Sequence, residues 1–373
     1  MAAHAASAPF SLDDLRRWPD LEGPDLVAVD AADRLILDES AAARADVSDG
    51  GLVVIDDAYG ALTLAAAAAG ARGIRVHQDA LTGEQALSAN ADRAGLDGTF
   101  THHDLDAELV RDARVVLLRL PRALRALHDI AGLIAAHANP DVLVFAGGRL
   151  KYMTPTMNDV LREHFTRVDV THARQKSRVL VARGPHDGID PQPEPATVDG
   201  LEVRAFGGVF AGASIDIGTR LLLAHLPDPV DGAIDFACGT GVVAAAWALR
   251  HPSVRVIATD QSAVAVASAR ATAAANGVAD RVEVVRDDLL ASRPDASASL
   301  IALNPPFHTG GAITEGVAPR MFADAARVLA PGGELWVVWN SALQYRPALE
   351  RLVGPTRQVA RDRKFTVTVS TRR

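Results

Sequence analysis

A chain of 373 residues, 49% of them apolar, is long enough for two domains of ordinary size, and its 23% of charged residues excludes disorder as the state of the whole chain. The single cysteine, Cys238, excludes a disulfide framework and a zinc site built on cysteines. The net charge of −8 argues against a non-specific nucleic-acid binder, but it is unevenly spread: residues 1–110 hold 7 Arg and no Lys against 20 acids, so the remainder is net basic and suited to a polyanion.

The first residues have no basic stretch ahead of an apolar run, and no segment reaches the roughly 18 apolar residues of a membrane span. A soluble, cytoplasmic protein is expected. The first clear unit is VVIDDAYGALTLAAAAAG, residues 53–70, an apolar strand followed by a turn and a helix pattern. A strand ending near Asp79, a helix, the strand VVLLRLPRAL and two further strands follow. His102, His103 and Asp104 have no spaced further ligand, so they are read as surface residues and no metal is expected. The stretch GPHDGIDPQPEPATVDG, residues 184–200, has four prolines and no apolar period. It predicts a linker between a domain at 1–183 and a domain at 201–373.

The second half repeats the grammar of the first. AIDFACGTGVVAAAWAL is a strand, a glycine turn and a helix, with Asp235 and Gly239 placed like Asp56 and Gly60. Strands alternating with helices predict an α/β fold: two tandem doubly wound, Rossmann-like domains from an internal duplication. The turn Asp235-Phe236-Ala237-Cys238-Gly239-Thr240-Gly241 carries an acid where a phosphate would approach in a dinucleotide enzyme. An acid there suits a cationic, hydroxyl-rich ligand such as S-adenosylmethionine. Asp260, with Gln261 beside it, closes the next strand and is placed to accept from ribose hydroxyls. Asp287 and Asp288 close the third, with Asp288 and the Leu289 backbone favoured for the adenine.

Asn304-Pro305-Pro306-Phe307 follows the apolar strand SLIAL. The prolines end the strand and stiffen the chain. The Asn304 amide oxygen and the Pro305 carbonyl can both accept from one exocyclic NH₂, and Phe307 offers a stacking face. His308 is placed to touch a substrate or to cap the loop. Positioning a planar amine against an activated methyl needs no metal and no covalent nucleophile.

This tetrapeptide resembles that of the methyltransferases of amino groups on adenine, guanine, cytosine or glutamine. With GVFAGASIDIGTRLLLAHLP upstream and the long stretch after Phe307, the chain is similar to the bacterial ribosomal RNA guanine-N2 methyltransferases of the RsmC/RlmG type, nearer the large-subunit branch. The resemblance spans nearly the whole chain, with Ala237 departing from a usual glycine. It implies tandem methyltransferase domains with catalysis in the second. Asp235, Ala237, Gly239, Gly241, Asp260 and Asp288 then hold S-adenosylmethionine; Asn304, Pro305 and Phe307 hold guanine; Phe210, Asp216 and Thr219 form a lid.

In the first half Leu62 is read at the place of Gly241, and Leu120-Pro121-Arg122 at that of Asn304-Pro305-Pro306, so this copy is expected to be degenerate. Its basic residues, Arg122 and Arg125 among them, are candidates for phosphate contacts with ribosomal RNA. A monomer is expected. Competing readings are an adenine-N6 nucleic-acid methyltransferase, a glutamine-amide methyltransferase and a non-catalytic RNA-binding or ribosome-assembly protein.

Overall fold

The computed structural model describes residues 10–229, 232–306 and 311–373. It divides into two compact units, residues 1–192 and 193–373. The first holds α1 (Ala31–Glu39), α2 (Ala41–Ala45), β1 (Leu52–Ile55), α3 (Ala61–Ala68), β2 (Ile74–His77), α4 (Leu81–Ala94), β3 (Phe100–His102), α5 (Ala107–Val110), β4 (Val115–Arg119), α6 (Leu124–His137), β5 (Leu143–Arg149), α7 (Thr156–Arg162), β6 (Phe165–Val170) and β7 (Ser177–Pro185). Its sheet has the order β3-β2-β1-β4-β5-β7-β6. Five strands run parallel, and β7 joins antiparallel between β5 and β6. All four residues of β1 are buried, as a strand covered on both faces requires.

The second unit holds β8 (Glu194–Val198), β9 (Leu201–Ala205), α8 (Ile217–Leu223), β10 (Ala233–Phe236), α9 (Val242–Arg250), β11 (Val256–Asp260), α10 (Ala263–Ala275), β12 (Val282–Arg286), β13 (Ala298–Leu303), α11 (Gly311–Val328), β14 (Leu329–Asn340), α12 (Arg346–Leu352), β15 (Thr356–Arg361) and β16 (Phe365–Thr371). Its main sheet, β12-β11-β10-β13-β14-β16-β15, has the same order as the first when each sheet is counted from its own first strand. Two hydrophobic layers cover it. One centres on Trp247, Val256 and Val338, the other on Phe322, Ile301 and Val337.

The proline-rich stretch differs from the linker expected over 184–200. Pro185 is the last residue of β7. The chain then lies along α6: Ile189 N donates to Gly132 O at 3.1 Å, and the Asp190 carboxylate meets His137 Nε2 at 2.6 Å. Gly188 sits where a Cβ would fall 2.3 Å from the Ala136 backbone. Past Gln192, β8 and β9 pair antiparallel around Asp199 (φ 52°) and Gly200 (φ 80°), an Asp-Gly hairpin turn with two left-handed residues. The backbone of β9 is satisfied by polar side chains of α10: Arg204 N donates to Thr272 Oγ1 at 3.0 Å and Phe206 N to Ser268 Oγ at 3.0 Å. The boundary between the two units falls within this stretch, whose flanks are paired or docked on their own units.

Candidate functional site

The turn from β10 into α9 alternates left-handed residues, with φ of 57° at Ala237, 54° at Gly239 and 73° at Gly241. Gly241 caps α9, and a Cβ there would fall 2.8 Å from Ala269 Cβ on α10, so close helix packing as well as φ requires glycine. Around Gly239 the space is open. Asp260 at the end of β11 pins this turn: its Oδ2 accepts from Gly239 N at 3.0 Å and its Oδ1 from Ser262 N at 3.0 Å. Asp235 is buried, and its Oδ2 accepts from Ala244 N, in the first turn of α9, at 3.0 Å. Burial pushes its carboxyl up to about 8; the Ala244 hydrogen bond opposes this and the Asp260 charge adds to it. Burial likewise raises the Cys238 thiol well above its usual value, so it is no thiolate nucleophile at neutral pH.

Beside this turn lies an open cleft spanning ≈ 470 Å³ with the solvent at its mouth included. One wall is Asp235, Ala237, Gly239 and Thr240; the other is Phe210, Ser214, Asp216 and Thr219, with Asn304 also on the lining. Asp216 is the N-cap of α8, its Oδ2 accepting from Gly218 N at 2.9 Å and Thr219 N at 3.4 Å. Asn304, just past β13, donates Nδ2 to Thr219 Oγ1 at 2.9 Å and to Asp216 Oδ2 at 3.5 Å. An ionised carboxylate only accepts, so its position sets the amide: NH₂ toward α8, oxygen away. Asn304 Oδ1 is buried and has no hydrogen-bond partner. A buried acceptor without a donor is costly, and a ligand N–H would relieve it.

The chain aligns with the ribosomal RNA large subunit methyltransferase G of Streptomyces avermitilis at 36% identity, over 97% of each chain. It belongs to that family. The methyltransferase of the same name from Shewanella amazonensis is 33% identical, over 98% of this chain and 97% of its own. Residues 4–186 match the N-terminal domain family of these G methyltransferases, and residues 200–369 the methyltransferase small domain. Among solved structures, the T. thermophilus 16S rRNA N2 methyltransferase RsmC, determined with AdoMet and guanosine, shares the fold at a TM-score of 0.75. It is 20% identical and covers 92% of each chain.

Within this family member the sequence-predicted residues fall in different places. Asp235, Ala237, Gly239 and Asn304 line the cleft, with Gly241 and Asp260 holding the turn beside it. Pro305 is buried and Pro306 exposed at the end of β13. Gln261, Asp288 and Leu289 stand past the carboxyl ends of β11 and β12, outside the cleft lining. Asp287 is turned inward: its Oδ2 accepts from Ser292 Oγ at 2.7 Å and Ser292 N at 2.9 Å, so it stabilises a turn. Phe307 and His308 lie outside the described residues. Of the residues expected as a lid, Asp216 and Thr219 open α8 and Phe210 is an exposed aromatic, all three on the cleft lining. Their link to Asn304 went unread, although an Asp three residues before a Thr at the start of IGTRLLL is a helix-start signal.

The first unit corrects the register expected between the halves. Positive φ recurs at Asp56 (60°), Ala58 (58°) and Gly60 (95°), and Gly60 caps α3 as Gly241 caps α9. Gly60, not Leu62, therefore holds the place of Gly241. Ile55 pairs with Leu118 where Phe236 pairs with Leu303, so Arg119, not Leu120, stands at the place of Asn304. Arg125 is engaged within its unit, with Nε 3.1 Å from Asp129 Oδ1 and Nη2 3.2 Å from Gln192 O. Arg122 is exposed and lies over the ring of Tyr152, 4.0 Å from its centroid, with Lys151 Nζ at 4.5 Å. Tyr152 was not singled out in the sequence. His102 and His103 meet Ser88 and Thr101 and form no ligand group with Asp104 among the described residues. No helix among the described residues is long and apolar enough to cross a membrane.

Proposed function

We propose that this chain transfers a methyl group from S-adenosylmethionine to the exocyclic N2 of a guanine in large-subunit ribosomal RNA. The observation that carries the reading is the buried, unpartnered Oδ1 of Asn304, held at the cleft by Thr219 and Asp216. The residues fit the cofactor: an open glycine at 239, a buried acid at 235 facing the cleft, and Asp260 and Asp288 at successive strand ends. When bound, S-adenosylmethionine supplies a methyl already activated on sulfur. The chain's own task is positioning. Asn304 Oδ1 and the Pro305 carbonyl accept from the guanine NH₂ and draw its nitrogen toward a tetrahedral geometry, with the lone pair directed at the methyl. Burial keeps the Asp235 carboxyl largely protonated at neutral pH, and a cationic ligand beside it would draw it toward the ionised form; Phe307 offers a stacking face for the base.

The first unit, by this reading, is a scaffold and RNA-recognition module derived by duplication. Arg122 with Tyr152 is its better candidate contact, since Arg125 is engaged internally. The enzyme acts as a cytoplasmic monomer, which sedimentation of the purified protein tests. The reaction is tested by methyl transfer from labelled cofactor to ribosomal RNA, assembled subunits, DNA and protein, followed by nucleoside and amino-acid analysis. N2-methylguanosine in ribosomal RNA is the expected product. N6-methyladenosine, methylglutamine or no transfer to any substrate would overturn the reading.

A further inference from the structure

A second cluster of chemistry-bearing side chains lies in the first unit, independent of the cleft and of the proposed reaction. His128 is on α6, and Glu163 and His164 join α7 to β6. Each offers one ligand atom, and these atoms all lie within 4.8 Å of one another. His164 is buried. Its Nδ1 lies 2.9 Å from the Asp187 carbonyl, which can only accept, so Nδ1 carries the proton and Nε2 is left with its lone pair. Nε2 is itself buried and has no hydrogen-bond partner. The His128 ring packs edge-on to His164, with centroids 4.8 Å apart. Its Nε2 is 3.5 Å from Glu163 Oε2, close to the edge of a tetrahedron of ligands about 2.1 Å from a central ion. Its Nδ1 is buried, unpartnered and 3.7 Å from the buried Asp129 carboxylate. A small ring rotation would complete that hydrogen bond.

We propose that His128, Glu163 and His164 form a binding site for one divalent transition-metal ion, zinc fitting best, that fastens α6 to the α7–β6 junction. The donor set is two imidazole nitrogens and one carboxylate, which suits zinc with a water as fourth ligand; magnesium and calcium favour all-oxygen shells. His164 has the outer partner that metal-bound histidines use, a backbone carbonyl, and the Asp129 carboxylate, 3.7 Å from His128 Nδ1, stands where a small ring rotation would supply the second. The half-exposed face of the cluster, at His128 and Glu163, gives an ion access from solvent. The ligands come from separate segments, so no short ligand spacing announced the site in the sequence, which carried no expectation of a metal.

The test uses the full, tag-free chain stripped with a chelator and titrated with Zn²⁺ against a chromogenic competitor. One equivalent should bind saturably, and the midpoint of thermal unfolding should rise with it. Co²⁺ in its place should give the intense visible bands of a tetrahedral site. Glu163→Gln, on an exposed side chain that leaves the fold intact, should weaken binding at least about tenfold, and Asp129→Asn about 10- to 100-fold. His164→Ala should abolish it. Absence of saturable binding, equal binding by wild type and the Glu163→Gln and His128→Gln variants, or an octahedral cobalt spectrum would each overturn the site. The cluster would then be a water-filled pair of histidines.

Discussion

At the carboxyl end of the fourth strand of each main sheet, one polar side chain reaches back to the first turn of the helix that precedes the sheet. In the second unit it is Asn304, bonded to Thr219 and to the N-cap Asp216 of α8. In the first it is Arg119, whose Nη1 lies 2.8 Å from the N-cap Asp30 and 2.6 Å from Asp33, three residues on in α1. The frame is the same and the chemistry is opposite. The amide leaves one acceptor unpaired beside an open cleft. The guanidinium has no acceptor to offer, and two carboxylates close over it. Burial pushes Asp33 up to about 6, Arg119 opposing it; Asp30, burial notwithstanding, is held low by Arg119. Arg119 is desolvated too, but Asp33 and Asp30 more than compensate and keep it charged. One strand-end residue and two helix-start residues thus separate a site able to take a ligand from one closed by its own charges.

The largest effect should come from opening that triad. Arg119→Ala leaves Asp30 and Asp33 facing each other with little water, and breaking a buried ion pair by removing one partner costs about 3–5 kcal/mol. Hydrogen exchange in the full chain should show lost protection in β1, β4 and α1 while β10 and β13 keep theirs. The loss should be smaller at pH 5 than at pH 8. Asp33 already titrates above its unfolded value, so its destabilising ionisation develops as pH rises from about 4 through 6, and without Arg119 only the Asp30 backbone N–H opposes it. Unchanged protection would mean that the triad is decoration and not a closure.

Next is Asn304→Ala. Removing one preorganised hydrogen-bond partner of a transition state typically costs on the order of 10²-fold in turnover. The loss should fall on kcat, with cofactor affinity within about twofold of wild type, because the amide acts on the incoming amine. Single-turnover methylation of ribosomal RNA, with calorimetry for the cofactor, separates the two. A fully active variant would reduce Asn304 to the end of a strand.

How much of this was legible beforehand divides along physical lines. Local pattern was readable: the strand–glycine–helix grammar, the acids at strand ends and the strand end before Asn304 depend on neighbours in sequence. Register between the halves was not. Alanine-rich helices align almost anywhere, and what fixes the match is backbone conformation, the left-handed residues at 56, 58 and 60 against 237, 239 and 241. Leu62 and Leu120 were therefore misplaced, and Arg119 was seen only as one basic residue among many. The bonds from Asn304 to Thr219 and Asp216 span 85 and 88 residues, and no spacing rule reaches that far. Asp287 and Asp288 looked alike in sequence; only the turn to Ser292 separates them.

A smaller effect tests the helix side of the comparison. Thr219→Val removes the hydroxyl that receives the Asn304 NH₂ and leaves only the longer 3.5 Å contact with Asp216 to hold the amide, so its oxygen is aimed less firmly at the incoming amine. We expect kcat to fall about tenfold, near 1.4 kcal/mol, with cofactor affinity unchanged. Thr219→Ser should restore most of it. If both variants lose activity equally, packing at α8 and not the hydroxyl is responsible.

The smallest expected change in stability, and the sharpest use of the comparison, is Gly239→Ala. Both turns place a left-handed residue at this point, and the first unit already uses alanine there: Ala58 has φ 58° against 54° for Gly239. Two positions earlier, Ala237 holds φ 57° in the second unit itself. The backbone conformation alone therefore does not demand glycine, and beyond its two chain neighbours no atom of the described residues lies within 4 Å of where a Cβ would stand. An L-residue in this region costs about 1–2 kcal/mol at most. If Gly239 were there only for the turn, the variant would unfold slightly earlier in urea and bind cofactor as before. The proposed function expects more, because the open space at Gly239 faces the cleft and a methyl group there would meet the ligand. Calorimetry should therefore show cofactor affinity reduced at least about tenfold, beside a fold loosened by only about 1 kcal/mol. Gly241→Ala supplies the contrast. There the Cβ collides with Ala269 of α10, so stability and binding should fall together.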